Sequence, residues 1–216
     1  MEYPCIDTPN VVTTFIEITP FDTVKYEIDK ESGYRMVDRP QKFSNIVPAL
    51  HGFIPQTYCG DGVADLCMVK IGRQNISGDK DPLDVLVLTE RPINQGYILL
   101  PAIPIGGFRM IDNGEADDKI IAVLKGDEIY SKWEDLKDYP ENIIDRLKHY
   151  FLTYKDIPNQ GKKGSKPRCE IAAIYGKKEA HQVIKKSQED YMNSYGDVEK
   201  NMSNSVIDAI QNNKLI

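Results

Sequence analysis

Twice within its first 124 residues the chain runs from a crowd of acids straight into an apolar, β-branched stretch: DKDPLDVLVL at 79–88 and MIDNGEADDKIIAV at 110–123. A fold has to bury each apolar stretch as a strand while keeping its acids at one end, within reach of water or ions. Asp79, Asp81 and Asp84 fall within six residues, and Asp112, Glu115, Asp117 and Asp118 within seven. Pro82 fixes its own φ and restricts Asp81, so the first set is presented by a preset turn. Two unit charges about 4 Å apart repel by about 4 kcal/mol at an effective dielectric near 20. Such acids either take up protons or recruit cations. An all-oxygen donor set favours Mg²⁺, with Mn²⁺ as substitute, over zinc or copper. Either segment alone also reads as an ordinary acidic turn.

Charge is segregated along the rest of the chain. Residues 79–118 hold eight acids and three bases, whereas residues 155–178 hold seven bases and two acids. An acidic pocket that loads cations and faces a basic wall suits an anion bridged by those cations, and phosphates fit best. The 216 residues carry a net charge of −6, 41% hydrophobic and 28% charged residues, a soluble globular composition. No basic footprint for nucleic acid is expected. The longest apolar stretch, YILLPAIPIGGF at 97–108, is cut by Pro101 and Pro104 and falls short of the roughly 18 residues of a membrane span. MEYPCIDTPN has neither a basic nor an apolar leader region, so a cytoplasmic protein is expected. Cys5, Cys59, Cys67 and Cys169 lack CxxC spacing and read as reduced structural thiols.

One domain spanning 1–216 is expected, since no repeat or long linker divides the chain. Strands are expected at 11–18, 24–28, 83–88 and 119–124, short runs that suggest a small barrel or sandwich. The last third reads as helical. Asp138 and Glu141 offer a capping signal around Pro140, and Ile143, Ile144, Leu147, Tyr150 and Phe151 mark one apolar face. Further helices are expected at roughly 178–195 and from Ser203, and ADLCMVKIG at 64–72 reads as an extra strand. In VKYEI, alternation puts Lys25 and Glu27 on one strand face. Glu17 sits similarly between Ile16 and Ile18, and Arg39 offers a bidentate fork to phosphate oxygens. Taken singly, each of these also fits a surface charge.

The segments FIEITPFDTVKYEIDKESG, MVDRP, HGFIPQT, DKDPLDVLVL, MIDNGEADDKIIAV and FLTYKD, in this order, resemble the soluble family I inorganic pyrophosphatases over residues 11–165. The resemblance implies an α+β, mainly β fold: a compact five-stranded OB-like barrel flanked by C-terminal helices, with 166–216 a helical C-terminal part. It implies several Mg²⁺ ions and hydrolysis of diphosphate to two orthophosphates. By position, Asp79, Asp84 and Asp117 resemble ligands of the first metal, with Asp84 bridging to a second. Asp112 and Asp117 resemble ligands of ions that arrive with the substrate, and Asp81 the proton acceptor. Lys25, Arg39, Lys119, Tyr154 and Lys155 match phosphate-holding positions, Glu17 and Glu27 match active-site carboxylates, and Lys162 aligns with a further lysine. A homo-oligomer is implied, with hexamer favoured over dimer.

Two departures stand out. His51 replaces the family's usual tyrosine, which predicts a pH dependence near neutrality unless the ring merely fills space behind the site. Residues 58–78 form a longer link than the short bacterial-type sequences have. Other readings are another Mg²⁺-dependent phosphoanhydride hydrolase, which needs a pocket for an organic group, or an inactive relative. A nucleic-acid-binding barrel would need aromatics along a basic groove, and the chain has one Trp.

Overall fold

Strand β7, Ile98–Asp112, holds the architecture together. A computed structural model describes residues 7–29, 31–155 and 168–212, with side chains described as far as residue 198. Its other strands are β1 (Val12–Ile18), β2 (Val24–Ile28), β3 (Arg35–Pro40), β4 (Leu50–Phe53), β5 (Ser77–Gly78), β6 (Asp84–Leu88), β8 (Glu115–Ala116), β9 (Lys119–Leu124) and β10 (Cys169–Gly176). The helices are α1 (Asp61–Ile71), α2 (Glu141–Thr153) and α3 (Lys177–Asn212).

Five strands close on themselves. β1 pairs β4, β4 pairs β6, β6 pairs β9, β9 pairs β7, and β7 returns to β1. All these pairings are antiparallel except β6 with β9. This is the expected five-stranded OB-like barrel. β7 outruns the ring, and its far half carries β10 and β8. β2 and β3 form a separate hairpin.

The apolar runs behind the acids are continuous because they are buried on both faces. Val85 and Val87 point into one core with Ile120, Ala122 and the α3 residues Ala180, Val183 and Ile184. Leu86 and Leu88 point the other way, into a second core with Ile121, Val123 and the α2 residues Leu147, Tyr150 and Phe151. Each fully buried Leu or Ile contributes about 1.5–3 kcal/mol, so barrel and helices are fastened together through the strands that carry the acids.

Four expectations are corrected. Residues 64–72 are not a strand: Asp61–Ile71 is a helix that ends at Gly72 in left-handed conformation, φ 66°. The C-terminal part begins with strand β10 rather than a helix, because its backbone pairs with β7 over seven registered positions. The two helices expected at 178–195 and from Ser203 are one helix, α3. α2 lies where expected, but its cap is Pro140, with no side-chain hydrogen bond, and Asp138 belongs to the preceding 3₁₀ turn, Leu136–Asp138. Among the described residues no helix is long and apolar enough to cross a membrane.

Candidate active site

Because β6 and β9 run parallel in register, Asp84 stands beside Lys119 at their starts. The Lys119 ammonium, 2% exposed, donates to both Asp84 Oδ2 and Asp117 Oδ1. Burial alone would lower its pKa, but Asp117 and Asp84 hold it well above the ordinary lysine value. Against the upward pull of burial, Lys119, His51 and Lys25 hold the Asp84 carboxyl well below the carboxylate range. At Asp79 the pull of Lys119 and of the Asp81 N–H is outweighed. Burial, with Asp117 close by, pushes its pKa up to about 8.

The loop presenting Asp79 is tightly turned. The Asp81 N–H donates to Asp79 Oδ1 at 3.0 Å, and Lys80 holds a left-handed φ of 64° that non-glycine residues seldom adopt outside constrained sites. Asp81 itself is exposed at the rim.

The wall is built from other elements. The β1–β4 register slips between Ile16 and Ile18, a bulge at Glu17 of the kind that re-aims a side chain. Burial, partly offset by Lys25, pushes Glu17 up to about 7. Lys25 Nζ lies 2.5 Å from Glu27 Oε1 and 3.8 Å from Glu17 Oε2, so the expected pairing of Lys25 with Glu27 on one face holds. Lys25 faces Arg39 across the hairpin. Arg39 pairs with Asp38 and lies 5.8 Å from the Tyr154 ring. Lys155, following α2, pairs with Asp112, which also accepts from Arg168 Nε at 3.2 Å. Asp38 and Arg168 drew no attention in the sequence. Asp38 adjoins Arg39 inside a recognised motif, whereas Arg168 is reached only through the non-local pairing of β10 with β7.

His51 lies on β4 with Nε2 3.5 Å from Asp84 Oδ2 and its ring edge-on to Phe151. Burial, opposed by Asp84, keeps its pKa below the ordinary histidine value. The charge change expected near neutrality therefore moves to lower pH. Lys162 lies outside the described residues.

Asp79, Asp84, Asp117, Lys119 and His51 thus form one cluster; Asp112, Lys155 and Arg168 form a second; and Lys25, Glu17, Glu27, Asp38 and Arg39 form a third. As they stand, the carboxylates lean toward ammonium groups, and among the described residues no three metal-type donors converge on one point. The donor chemistry nevertheless fits divalent cations. The oxygens are hard, Lys119 already supplies one positive charge between two of them, and the high pKa of Asp79 marks a carboxyl short of cationic partners.

The profile of the family described as inorganic pyrophosphatase matches residues 14–192. The inorganic pyrophosphatase of Chlamydia muridarum (strain MoPn / Nigg) is 54% identical over 181 residues, covering 84% of this chain and 87% of that protein. The crystal structure of inorganic pyrophosphatase from Thermus thermophilus is similar with a TM-score of 0.70 at 27% identity, covering 88% of this chain and 97% of that one. The Helicobacter pylori inorganic pyrophosphatase gives 0.69 at 29% identity, covering 89% and 99%. Sequence and fold agree, and the chain belongs to the inorganic pyrophosphatase family.

Proposed function

We propose that this chain hydrolyses inorganic diphosphate to two orthophosphates, with the Asp81 carboxylate accepting the proton of the attacking water. Hydrolysis of pyrophosphate is the activity that family membership supports. The observation that carries the reading is Lys119 bridging Asp84 and Asp117 at the starts of two parallel strands, with the buried Asp79 carboxyl near enough to Asp117 to feel its charge. The family is metal-dependent, and Mg²⁺ is the proposed ion. Asp79, Asp84 and Asp117 would hold a first ion, Asp84 would share a second, and Asp112 and Asp117 would hold those accompanying the substrate. When bound, such ions supply Lewis acidity that eases deprotonation of water and offsets phosphate charge.

The chain's own residues then divide the work. In this reading Asp81, which is exposed and two residues from Asp79, takes a proton from a water at the rim. That water's oxygen bonds to one phosphorus as the bond from this phosphorus to the bridging oxygen breaks. Lys25, Arg39, Lys119, Tyr154 and Lys155 neutralise and orient the phosphates, the electrostatic task that dominates phosphoryl transfer. Arg39 supplies the planar fork. Glu17 and Glu27 hold Lys25 in place. No covalent intermediate is required.

The same reading takes residues 1–216 as one domain in the cytoplasm, and the chain as a homo-oligomer, hexamer before dimer, which light scattering checks. The decisive experiment is phosphate release from diphosphate with Mg²⁺ titrated from zero, with ATP as competitor substrate. Release should rise with Mg²⁺ and favour diphosphate. No release at any Mg²⁺ level would sink the reading, and preferential cleavage of ATP would replace it with a nucleotide phosphohydrolase.

A further inference from the structure

A continuous hydrogen-bond path joins α3 to the acidic loop through the longer link at 58–78. Asp190 of α3, 8% exposed, accepts from three backbone N–H groups at the start of α1: Gly60 at 3.1 Å and Val63 at 2.9 Å through Oδ2, and Gly62 at 3.2 Å through Oδ1. These donors have no partner within their own helix, and a carboxylate suits the positive end of a helix. The Tyr58 N–H donates to Ser187 O at 3.0 Å, so α3 grips the segment at two points. On its other side the segment holds the loop. The Cys59 N–H donates to Asp81 O at 2.9 Å, and the Lys80 N–H donates to Cys59 O at 3.1 Å. Contact is close enough that a Cβ on Gly78 would meet Cys59 O at 2.1 Å. The backbone between Asp79 and Asp81 therefore hangs from Cys59, and Cys59–Gly60 hangs from Asp190.

We infer that Asp190 is a positioning residue for the reaction: through α1's first turn and Cys59 it sets where Asp79 and Asp81 stand relative to Asp84 and Asp117. The inference rests on the proposed function. Groups that orient metal ligands at one remove typically change metal affinity or activity about 10–100-fold when removed, and Asp190 acts at two.

The test is Mg²⁺ binding by calorimetry without substrate, alongside Mg²⁺-dependent diphosphate hydrolysis and thermal unfolding. Asp190→Ala should weaken the tightest Mg²⁺ about tenfold and lower kcat at saturating Mg²⁺. Asp190→Asn, whose amide oxygen can still accept from Gly60 and Val63 while its NH₂ meets the Gly62 N–H, should recover part of the affinity. Gly62→Ala covers the case in which Asp190→Ala fails to fold. Its Cβ would sit 2.3 Å from Asp190 Oδ1 and push that carboxylate aside, whereas alanine favours the helix. Affinity should fall without a matching loss of thermal midpoint. Wild-type Mg²⁺ affinity and kcat in folded Asp190→Ala, or in Gly62→Ala where the former is unfolded, would overturn the inference. A wild-type chain that releases no phosphate would remove the proposed function and this inference with it; an active wild type with indifferent variants removes only the inference.

Discussion

Three consecutive residues, Asp117, Asp118 and Lys119, feed two ionic clusters of opposite character. Asp117 and Lys119 turn into the mouth with Asp84 and Asp79. Asp118 turns away and meets Arg109 Nη2 at 3.3 Å and the Tyr175 hydroxyl at 3.0 Å. Arg109, 1% exposed, also donates to Glu179 of α3 at 2.8 Å. Behind the barrel, one buried guanidinium answers the buried Asp118 and the partly exposed Glu179, and even there burial, partly offset by Arg109, pushes Asp118 up to about 6. At the mouth, carboxylates crowd together and one of them is pushed up to about 8. The cluster around Arg109 fastens β7, the start of β9 and α3 together; the one at the mouth leaves Asp79 in repulsion that, in the proposed function, a cation would relieve. Similar residue types serve structure or chemistry according to whether their charges are already answered.

The contrast can be broken from either side. Asp81→Asn should lower kcat about 10²–10⁴-fold while calorimetric Mg²⁺ binding and thermal midpoint persist; wild-type turnover at saturating Mg²⁺ would remove Asp81 from its role. Arg109→Met should do the reverse. Leaving Asp118 buried without its ion partner costs about 3–5 kcal/mol, read by denaturant unfolding, while kcat of the folded fraction stays within about threefold; a selective loss of turnover would merge the two clusters into one. Arg39→Lys should lower kcat/KM about tenfold with an unmoved thermal midpoint, because a point charge does not replace the fork; unchanged kinetics would return Arg39 to the surface.

The smallest effect belongs to a carboxylate outside both clusters. Asp127 accepts from the N–H groups of Glu90, Ile129 and Tyr130 and from the Thr89 hydroxyl. Against the upward pull of burial, these donors hold its pKa below the ordinary 3.8. Its contribution is therefore fully present above pH 3.8 and is lost as pH falls through the folded value. Asp127→Ala should cost about 1 kcal/mol at neutral pH, and the gap to wild type should close in acid; a gap that widens in acid would reverse the sign.

Much of the mouth was legible because its chemistry is local. Asp79, Asp81 and Asp84 share one turn, Asp117 and Lys119 share one strand start, and the parallel register that joins them follows from two apolar runs each needing burial on both faces. Asp118 was legible only as another acid. Strand alternation sends it to the opposite side from its neighbours, but its partner Arg109 shows itself only through the pairing of β7 with β9, which sets Phe108 opposite Lys119. α1 was misread because its start carries no local capping residue: the cap is Asp190, 130 residues from Gly60. Gly72 and Lys70 at its end were the available signs of a helix. β10 escaped because CEIAAIYG follows a basic run and takes its strand form from a partner 57 or more residues earlier, with Cys169 opposite Asp112.

β7 also imposes an order on biosynthesis. Its first half closes the ring against residues near the N-terminus, with Thr14 opposite Leu100, while its second half waits for residues 169–176. Contacts so distant along the chain make for slow folding and leave strand edges open meanwhile. On the ribosome, the barrel's five strands are all available once residue 124 has emerged, yet β7 keeps an unpaired edge along its second half until β10 follows. That interval leaves the nascent chain open to mispairing, and the strand that ends it lies in sequence within the basic stretch at 155–178.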